Sequence, residues 1–444
     1  MKILMVSLGC DKNLVDTERM LGMLSDRGYT FTDDESEADA VIVNTCCFIG
    51  DAKEESINTL IEMGALKKTA HVRILIAAGC LAQRYAREIR QEIPEVDAIV
   101  GTSAIDEIVR ALEEADAGER KAYLKELHAA PVSGGRRVVT TGGHYAYLKI
   151  AEGCDKKCSY CIIPKVRGSY RSVPMEILVE EAQTLAEGGV KELILVAQET
   201  TLYGKDLYGE KKLPELLKKL CGIPGLHWIR MLYCYPEEIT EELIEVMRTE
   251  KKICHYLDMP VQHASDQILK KMGRRTDRAE LTERIGRLRE RIPDICLRTT
   301  LITGFPGETK KDHEELLSFV KELSFDRLGV FPYSPEEGTA AAEMTGQISE
   351  KVKKKRRDEL MLLQQELAFE KAESFVGQAM EAMIEGKLVD EGCYVARTFR
   401  DAPNVDGYVF VRTDRELLTG EFVTVRITGA HEYDLIGEPA DDDE

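Results

Sequence analysis

Short apolar runs alternate with amphipathic stretches along the first hundred residues. Helical spacing of apolar residues is found in segments such as 13–26 and 51–63. The apolar runs between them predict buried strands, since a strand covered on both faces is a nearly continuous hydrophobic run. These runs are 3–7, 40–44, 72–78 and 98–101. The alternation predicts an open parallel sheet with helices on both faces.

A second strand–helix series follows and contains six units. Its predicted strands are 147–151, 192–197, 228–233, 256–261, 296–303 and 327–333. Six units suit a partial (βα)6 barrel, two units short of the full eight. In such barrels the chemistry lies at the carboxyl ends of the strands.

The pattern changes again in the last third of the chain. A long charged helix is predicted over 349–375, and the period-two alternation over 377–437 predicts a small antiparallel β-barrel. Glycine and proline interrupt the rhythm within 113–143, which indicates a linker. We therefore divide the chain into an N-terminal domain (1–125), a linker (126–143), a partial barrel (144–373), a C-terminal barrel (374–440) and an acidic tail (441–444) that we expect to be disordered.

Composition is that of a soluble protein, with 43% hydrophobic and 31% charged residues among 444. There is no apolar run long enough to span a membrane, and the first ten residues do not form a signal peptide, so we expect a cytoplasmic protein. A formal net charge of −19 argues against a protein that coats nucleic acid. Twelve cysteines without a secretion signal favour metal ligation in a reducing compartment.

Cys154, Cys158 and Cys161 form a C-x3-C-x2-C triplet directly after the first strand of the partial barrel. Three thiolates leave one iron of a cubane cluster open to a ligand, whereas four thiolates close it. The alternative is a structural zinc site, which needs a fourth ligand such as His144 or His263. The spacing favours the iron–sulfur cluster.

Cys10, Cys46 and Cys80 each follow a different strand of the N-terminal domain. The carboxyl ends of parallel strands converge on one crevice, so these cysteines are predicted to meet at a second metal site. Cys47 could replace its neighbour Cys46 as the ligand. Five further cysteines have no partner spacing and are interpreted as packing residues: Cys221, Cys234, Cys254, Cys296 and Cys393.

Polar residues also follow other strands of the partial barrel. Glu199 and the pair Gln262-His263 are predicted at its rim, near the triplet, and the alternative for Glu199 is a neighbour of a helix N-cap. Gly304 opens a tight turn that suits close approach to a ligand, although a plain βα turn is the better interpretation of this position taken alone. The basic run 353–357 is followed by acidic residues and is read as a solvated helix face. No phosphate-binding loop of the G-x-x-x-x-G-K-[ST] type is present.

The triplet, with Tyr160 before its last cysteine, resembles the radical S-adenosylmethionine superfamily. With Cys10, Cys46, Cys80 and the C-terminal barrel, the whole chain resembles the methylthiotransferases, whose last domain is a TRAM domain. The segments 7–18 and 44–56 are similar to the branch that modifies an aspartate of ribosomal protein S-twelve.

This resemblance implies two [4Fe–4S] clusters and S-adenosylmethionine as cofactors. The triplet would hold the cluster that binds S-adenosylmethionine, and the three N-terminal cysteines would hold an auxiliary cluster. Tyr160, Glu199, Gln262, Gly304 and Tyr333 would contact S-adenosylmethionine. The product would be a methylthio group on the β-carbon of the aspartate.

Charge offers a check on the partner. Segment 374–444 has 16 acidic and 6 basic residues, a formal net charge of −10, which suits a basic protein better than RNA. We therefore expect ribosomal protein S-twelve as partner, free or on the small ribosomal subunit, together with an unidentified electron donor and no membrane. The alternatives are a tRNA adenosine methylthiotransferase of the same family and a non-catalytic, zinc-stabilised RNA-binding protein.

Overall fold

The computed structural model describes residues 1–440, and the disorder expected for 441–444 lies outside them. The N-terminal domain contains the strands β1 (Lys2–Ser7), β2 (Thr30–Thr32), β3 (Ala40–Thr45), β4 (Ile74–Ala78), β5 (Ala98–Val100) and β6 (Lys121–Tyr123). They form one parallel sheet in the order β2-β1-β3-β4-β5-β6. Its helices are α1 (Asp11–Asp26), α2 (Gly50–Thr69), α3 (Gly79–Arg84), α4 (Ala86–Glu92) and α5 (Ile108–Asp116).

Both faces of this sheet are covered by helices, as predicted. Helices α1 and α5 pack on one face, and α2, α3 and α4 pack on the other. Strands β2 and β6 were not predicted from the sequence; they are three-residue edge strands with mostly exposed side chains. Because such edge strands are not buried, they lack the apolar run that marked the other four.

The central domain contains the strands β7 (Tyr145–Lys149), β8 (Ala151–Glu152), β9 (Arg171–Ser172), β10 (Glu192–Val196), β11 (Trp228–Met231), β12 (Ile253–Asp258), β13 (Cys296–Thr303) and β14 (Arg327–Pro332). Six of them form an open parallel sheet in the order β14-β13-β12-β11-β10-β7, which confirms the predicted set of six units. Strands β8 and β9 form a separate antiparallel pair.

The helices of the central domain are α6 (Ile163–Val166), α7 (Met175–Glu187), α8 (Lys205–Tyr208), α9 (Leu213–Cys221), α10 (Glu241–Thr249), α11 (Asp266–Met272), α12 (Arg278–Arg291), α13 (Lys310–Leu323) and α14 (Glu350–Glu373). Short 3₁₀ turns lie at Glu35–Glu37, Ile105–Glu107, Pro236–Glu238 and Ala340–Glu343. The long charged helix predicted from the sequence is α14, which packs against α13 and β14. Within residues 1–440, no helix is both long and apolar enough to cross a bilayer.

The C-terminal domain is a closed barrel of five strands, β15 (Ala379–Leu388), β16 (Cys393–Thr398), β17 (Val409–Arg412), β18 (Phe422–His431) and β19 (Asp434–Pro439). Their order is β15-β16-β17-β19-β18. Four of the neighbouring pairs are antiparallel as predicted, but β17 and β19 are parallel. The prediction of a purely antiparallel barrel was therefore wrong in one pair.

The C-terminal barrel is anchored at the amino ends of the central strands. Glu192, the first residue of β10, accepts hydrogen bonds from Arg230 (2.6 Å) and from Arg397 of β16 (2.7 Å). All three side chains are fully buried, so the carboxylate is satisfied by two guanidinium groups. The carboxyl ends of the central strands are left to face the N-terminal domain.

Residues 124–144, which include the predicted linker, contain no helix or strand. They are nevertheless anchored, because Arg137 binds Glu18 of α1 (2.5 Å) and Glu181 of α7 (3.0 Å) with a side chain that is only 4% exposed. The segment thus fastens the first helix of one domain to the first long helix of the next.

Candidate metal centres and cofactor site

The cysteine triplet lies in the loop after β8, at the carboxyl end of the first central strand. Cys154 and Cys158 are buried, and Cys161 is half-buried. The Cys154 N–H donates to the carbonyl of Gly168 (3.1 Å), and the Cys161 N–H donates to the carbonyl of Cys158 (3.1 Å). The loop is therefore folded back on itself with its three thiols close together.

Burial disfavours the thiolate form of two cysteines in this loop, Cys154 and Cys161. Burial raises the pKa of both Cys154 and Cys161 to about 12, and the thiol of Cys158 adds to the rise. Such groups ionise together only around a positive centre. Within the described chain, no three His, Cys, Asp or Glu side chains converge on a single ion. Thiolates of a cubane are bound to three different irons, so they need not converge on one ion.

Glu199, which follows β10, is a buried carboxyl group with one free oxygen. Its Oε1 accepts hydrogen bonds from the N–H and hydroxyl of Thr201, whereas its Oε2 has no donor within residues 1–440. The nearest cation is Lys156, whose Nζ lies 4.0 Å away. Burial raises the pKa of Glu199 to about 8. This unpaired oxygen suits a ligand that brings a positively charged donor.

The other predicted ligand contacts lie along the same rim. Gln262, after β12, has a φ of +72° and a buried Oε1 without a donor in the described residues. Gly304, after β13, has a φ of +71°, which favours glycine. The rings of Tyr160 and Tyr333 both contact Phe305 edge to face, with centroid distances of 6.5 and 5.3 Å. The rim therefore offers an aromatic cluster beside unpaired polar atoms, as a nucleoside ligand needs.

The second cysteine set lies at the carboxyl ends of β1, β3 and β4. Cys10 precedes α1, Cys46 follows β3, and Cys80 lies in the first turn of α3. At Gly9, which has a φ of +89°, an added Cβ would stand 2.9 Å from the Cys46 Sγ. Burial raises the pKa of Cys46 and of Cys80, and in both cases the nearby Cys10 adds to the rise. The structure therefore brings the three thiols together.

Asn13 binds the loops that carry these cysteines. Its Nδ2 donates to the carbonyls of Leu8 (2.9 Å) and Thr45 (3.0 Å), and its Oδ1 accepts from the Cys80 thiol (3.7 Å). Asn13 is fully buried. Asn13 was not predicted from the sequence, although its position three residues after Cys10, in the first turn of a helix, is a usable signal.

The structure separates Cys46 from Cys47. Cys46 is close to Gly9 and to Cys10, which raises the pKa of the Cys46 thiol. Cys47 packs in the hydrophobic core on the α2 face and contacts Arg84. Burial raises the pKa of Cys47 to about 11. The two adjacent side chains therefore lie in different environments, with Cys46 beside Gly9 and Cys10 and Cys47 beside Arg84, and both are close enough to Cys80 to raise the pKa of its thiol.

A buried charge network lies between the two cysteine sets. Arg167, 2% exposed, donates from Nε to the Cys80 Sγ (3.4 Å) and from Nη1 to Asp16 (2.8 Å) and Glu152 (2.9 Å). Lys149 contacts the same two carboxylates. Glu152 stands two residues before Cys154, so the network connects the two cysteine sets. Arg167, too, was missed from the sequence.

A second connection runs along the segment after β11. Tyr233 has a φ of +60°, which is unusual for an aromatic residue, and its ring contacts the Lys12 ammonium. Two residues later, the hydroxyl of Tyr235 lies 4.0 Å from the Cys158 Sγ. One short segment therefore contacts both the loop after Cys10 and the cysteine triplet.

Each histidine considered as a zinc ligand has one ring nitrogen in a hydrogen bond, whereas His144 Nδ1 and His263 Nε2 have no partner within residues 1–440. His144 binds Glu385 of the C-terminal barrel (2.8 Å), and β7 separates it from Cys154 by roughly 17 Å of strand. His263 accepts a hydrogen bond from the Ser265 N–H (2.9 Å), and burial lowers its pKa to about 3. The cysteines interpreted as packing residues include Cys234, Cys254 and Cys296, which lie in hydrophobic cores.

Three families match the chain, one in each domain. Residues 2–101 match the uncharacterized protein family UPF0004, residues 148–320 match the radical SAM superfamily, and residues 376–439 match the TRAM domain. A solved structure of the radical S-adenosylmethionine methyltransferase TsrM from Kitasatospora setae, with tryptophan and a SAM analog bound, is similar in fold. Its TM-score is 0.54 at 14% identity, over 74% of this chain and 72% of that chain. The fold and these matches define a radical S-adenosylmethionine enzyme.

Full-length relatives define the family more narrowly. The ribosomal protein uS12 methylthiotransferase RimO of Lachnoclostridium phytofermentans is 62% identical over 98% of this chain and 99% of its own length. The protein of the same name from a Thermoanaerobacter species is 49% identical over 98% of both chains. The chain belongs to the RimO family of methylthiotransferases.

Proposed function

We propose that this enzyme transfers a methylthio group to the β-carbon of an aspartate in ribosomal protein uS12. The observation that carries the proposal is the pair of cysteine sets, one at the carboxyl ends of each sheet, connected by the buried network around Arg167. Full-length identity to relatives named for this activity supports the same substrate.

Cys154, Cys158 and Cys161 would hold one [4Fe–4S] cluster, and Cys10, Cys46 and Cys80 would hold a second. When bound, these groups and S-adenosylmethionine supply the radical and sulfur chemistry, which no side chain of the protein can supply alone. Glu199 would pair with the ammonium of S-adenosylmethionine, because its free oxygen is buried without a donor. The aromatic cluster of Tyr160, Phe305 and Tyr333 would enclose the adenine and exclude water.

The acidic charge of the C-terminal barrel supports a basic protein partner, even when the residues that form ion pairs with the central domain are left out. In the C-terminal barrel, Glu385, Asp401 and Asp406 bind His144, Arg327 and Arg298 of the central domain. Two arginines of the barrel, Arg397 and Arg400, likewise bind carboxylates of the central domain. Because these ion pairs neutralise acidic and basic residues of the barrel alike, an excess of acidic residues remains on its surface.

We place this reaction in the cytoplasm, on uS12 that is free or assembled in the small ribosomal subunit, with electrons from a separate donor. Mass spectrometry of uS12 and of total tRNA from a strain that lacks the gene tests the substrate. We expect unmodified aspartate in uS12 and unchanged tRNA. Loss of a methylthio group from a tRNA adenosine, with uS12 unchanged, would contradict the proposal.

A further inference from the structure

Lys12 is a buried cation without an acidic partner. Four lysines are buried in the described chain, and three of them bind carboxylates: Lys149 binds Glu152 (2.8 Å), Lys156 binds Glu237 (3.1 Å) and Lys353 binds Glu350 (2.6 Å). Lys12, 6% exposed, forms no ion pair or side-chain hydrogen bond with any residue in 1–440.

The one interaction that holds the Lys12 ammonium is with an aromatic ring. Its Nζ lies 3.2 Å from the centroid of the Tyr233 ring. A cation–π contact leaves the hydrogen-bonding capacity of an ammonium unused, and a charge removed from water without an acceptor is unfavourable. The three N–H donors of Lys12 are therefore available to an anionic ligand.

The Tyr233 ring is held in place from two sides. Its N–H donates to Asp258 (3.1 Å), and its hydroxyl donates to Asp11 (3.1 Å). These bonds maintain a φ of +60° that is unfavourable for a bulky residue. The ring therefore forms a fixed support under the Lys12 ammonium.

The position of Lys12 relates it to both metal sites. It stands two residues after Cys10, and its support Tyr233 stands two residues before Tyr235, whose hydroxyl is 4.0 Å from the Cys158 Sγ. An anion bound by Lys12 would consequently lie beside the segment 233–235, which contacts the cysteine triplet, and close to the start of the helix that follows Cys10.

We propose that Lys12 binds the side-chain carboxylate of the aspartate that the enzyme modifies, an inference that rests on the function proposed above. The ammonium would donate to the carboxylate oxygens and hold the adjacent β-carbon between the two sites. An asparagine in the same place would leave the ammonium without its counter-charge, so Lys12 selects a carboxylate over an amide.

The test compares purified uS12 carrying the target aspartate with uS12 carrying asparagine at that position. Affinity for the reconstituted enzyme is measured by titration with fluorescently labelled uS12. The wild type should bind the aspartate form about 10- to 100-fold more tightly, as a charged hydrogen bond provides. Lys12→Met should remove this preference and Lys12→Arg should retain most of it. Lys354→Met, at an exposed position of α14, is the matched control and should leave the preference unchanged.

Circular dichroism verifies the fold of each variant. The comparison of the two uS12 forms on the wild-type enzyme tests the proposal even if the variants do not fold. Equal affinity of the wild type for both forms, or an unchanged preference in Lys12→Met, would overturn the role of Lys12. If either of these results is obtained while the wild type still modifies uS12, the proposed function stands and only the role of Lys12 is wrong. If the wild type leaves uS12 unmodified, both fail.

Discussion

Replacement of Arg167 by methionine removes one cation from the buried network between the two cysteine sets. The network contains two cations, Arg167 and Lys149, and two carboxylates, Asp16 and Glu152, all with side chains at most 8% exposed. Breaking a buried ion pair costs about 3–5 kcal/mol. Because Lys149 still contacts both carboxylates, we expect the lower end, about 3 kcal/mol, or roughly 150-fold in the folding equilibrium.

The assay is urea unfolding of the apoprotein followed by circular dichroism. Arg73→Met is the matched control, because Arg73 forms an exposed pair with Asp116 (2.8 Å) and should cost less than about 1 kcal/mol. The double variant Asp16→Asn, Arg167→Met restores a neutral network and should be more stable than Arg167→Met alone. A loss below about 0.5 kcal/mol in Arg167→Met, or no recovery in the double variant, would show that these buried ion pairs do not stabilise the fold.

Three further predictions concern single side chains of the two sites. Burial raises the pKa of Glu199 from 4.5 to about 8, so the wild-type apoprotein should lose stability as the pH rises through this interval. Urea titrations should show no such loss for Glu199→Gln. Stability that falls equally with pH in both proteins would contradict this prediction. Reconstituted wild type should bind about eight irons and Cys10→Ala about four, whereas equal iron contents would exclude Cys10 as a ligand. Asn13→Leu leaves the carbonyls of Leu8 and Thr45 unpaired, so a chelator should remove about half of the iron, that of the auxiliary cluster, faster than it does from the wild type. An unchanged rate of iron loss would show that Asn13 does not support this cluster.

The hydrophobic pattern predicted the sheets because their central strands are buried on both faces. The same pattern could not reveal β2 and β6, whose side chains are mostly exposed at the sheet edges. It also could not reveal that β17 and β19 run parallel, since alternation along a strand carries no information about the direction of its neighbour.

The cysteines were predictable because each follows a strand, and the ends of parallel strands converge. The residues that hold them were not, because their contacts join distant parts of the chain. Arg167 and Cys80 are 87 residues apart, and Arg167 and Asn13 are 154 apart. Lys12 is a similar case, since a lysine in a helix is usually solvated, and only the structure shows this one on the Tyr233 ring.

The two cysteine sets are proposed to have different roles, and one measurement on purified enzyme with uS12 tests this difference. Products are quantified together as 5′-deoxyadenosine and as methylthiolated uS12. The wild type should form both, Cys10→Ala should form 5′-deoxyadenosine without methylthiolated uS12, and the triple change of Cys154, Cys158 and Cys161 to Ala should form neither. Methylthiolated uS12 from Cys10→Ala, or 5′-deoxyadenosine from the triple variant, would contradict the account.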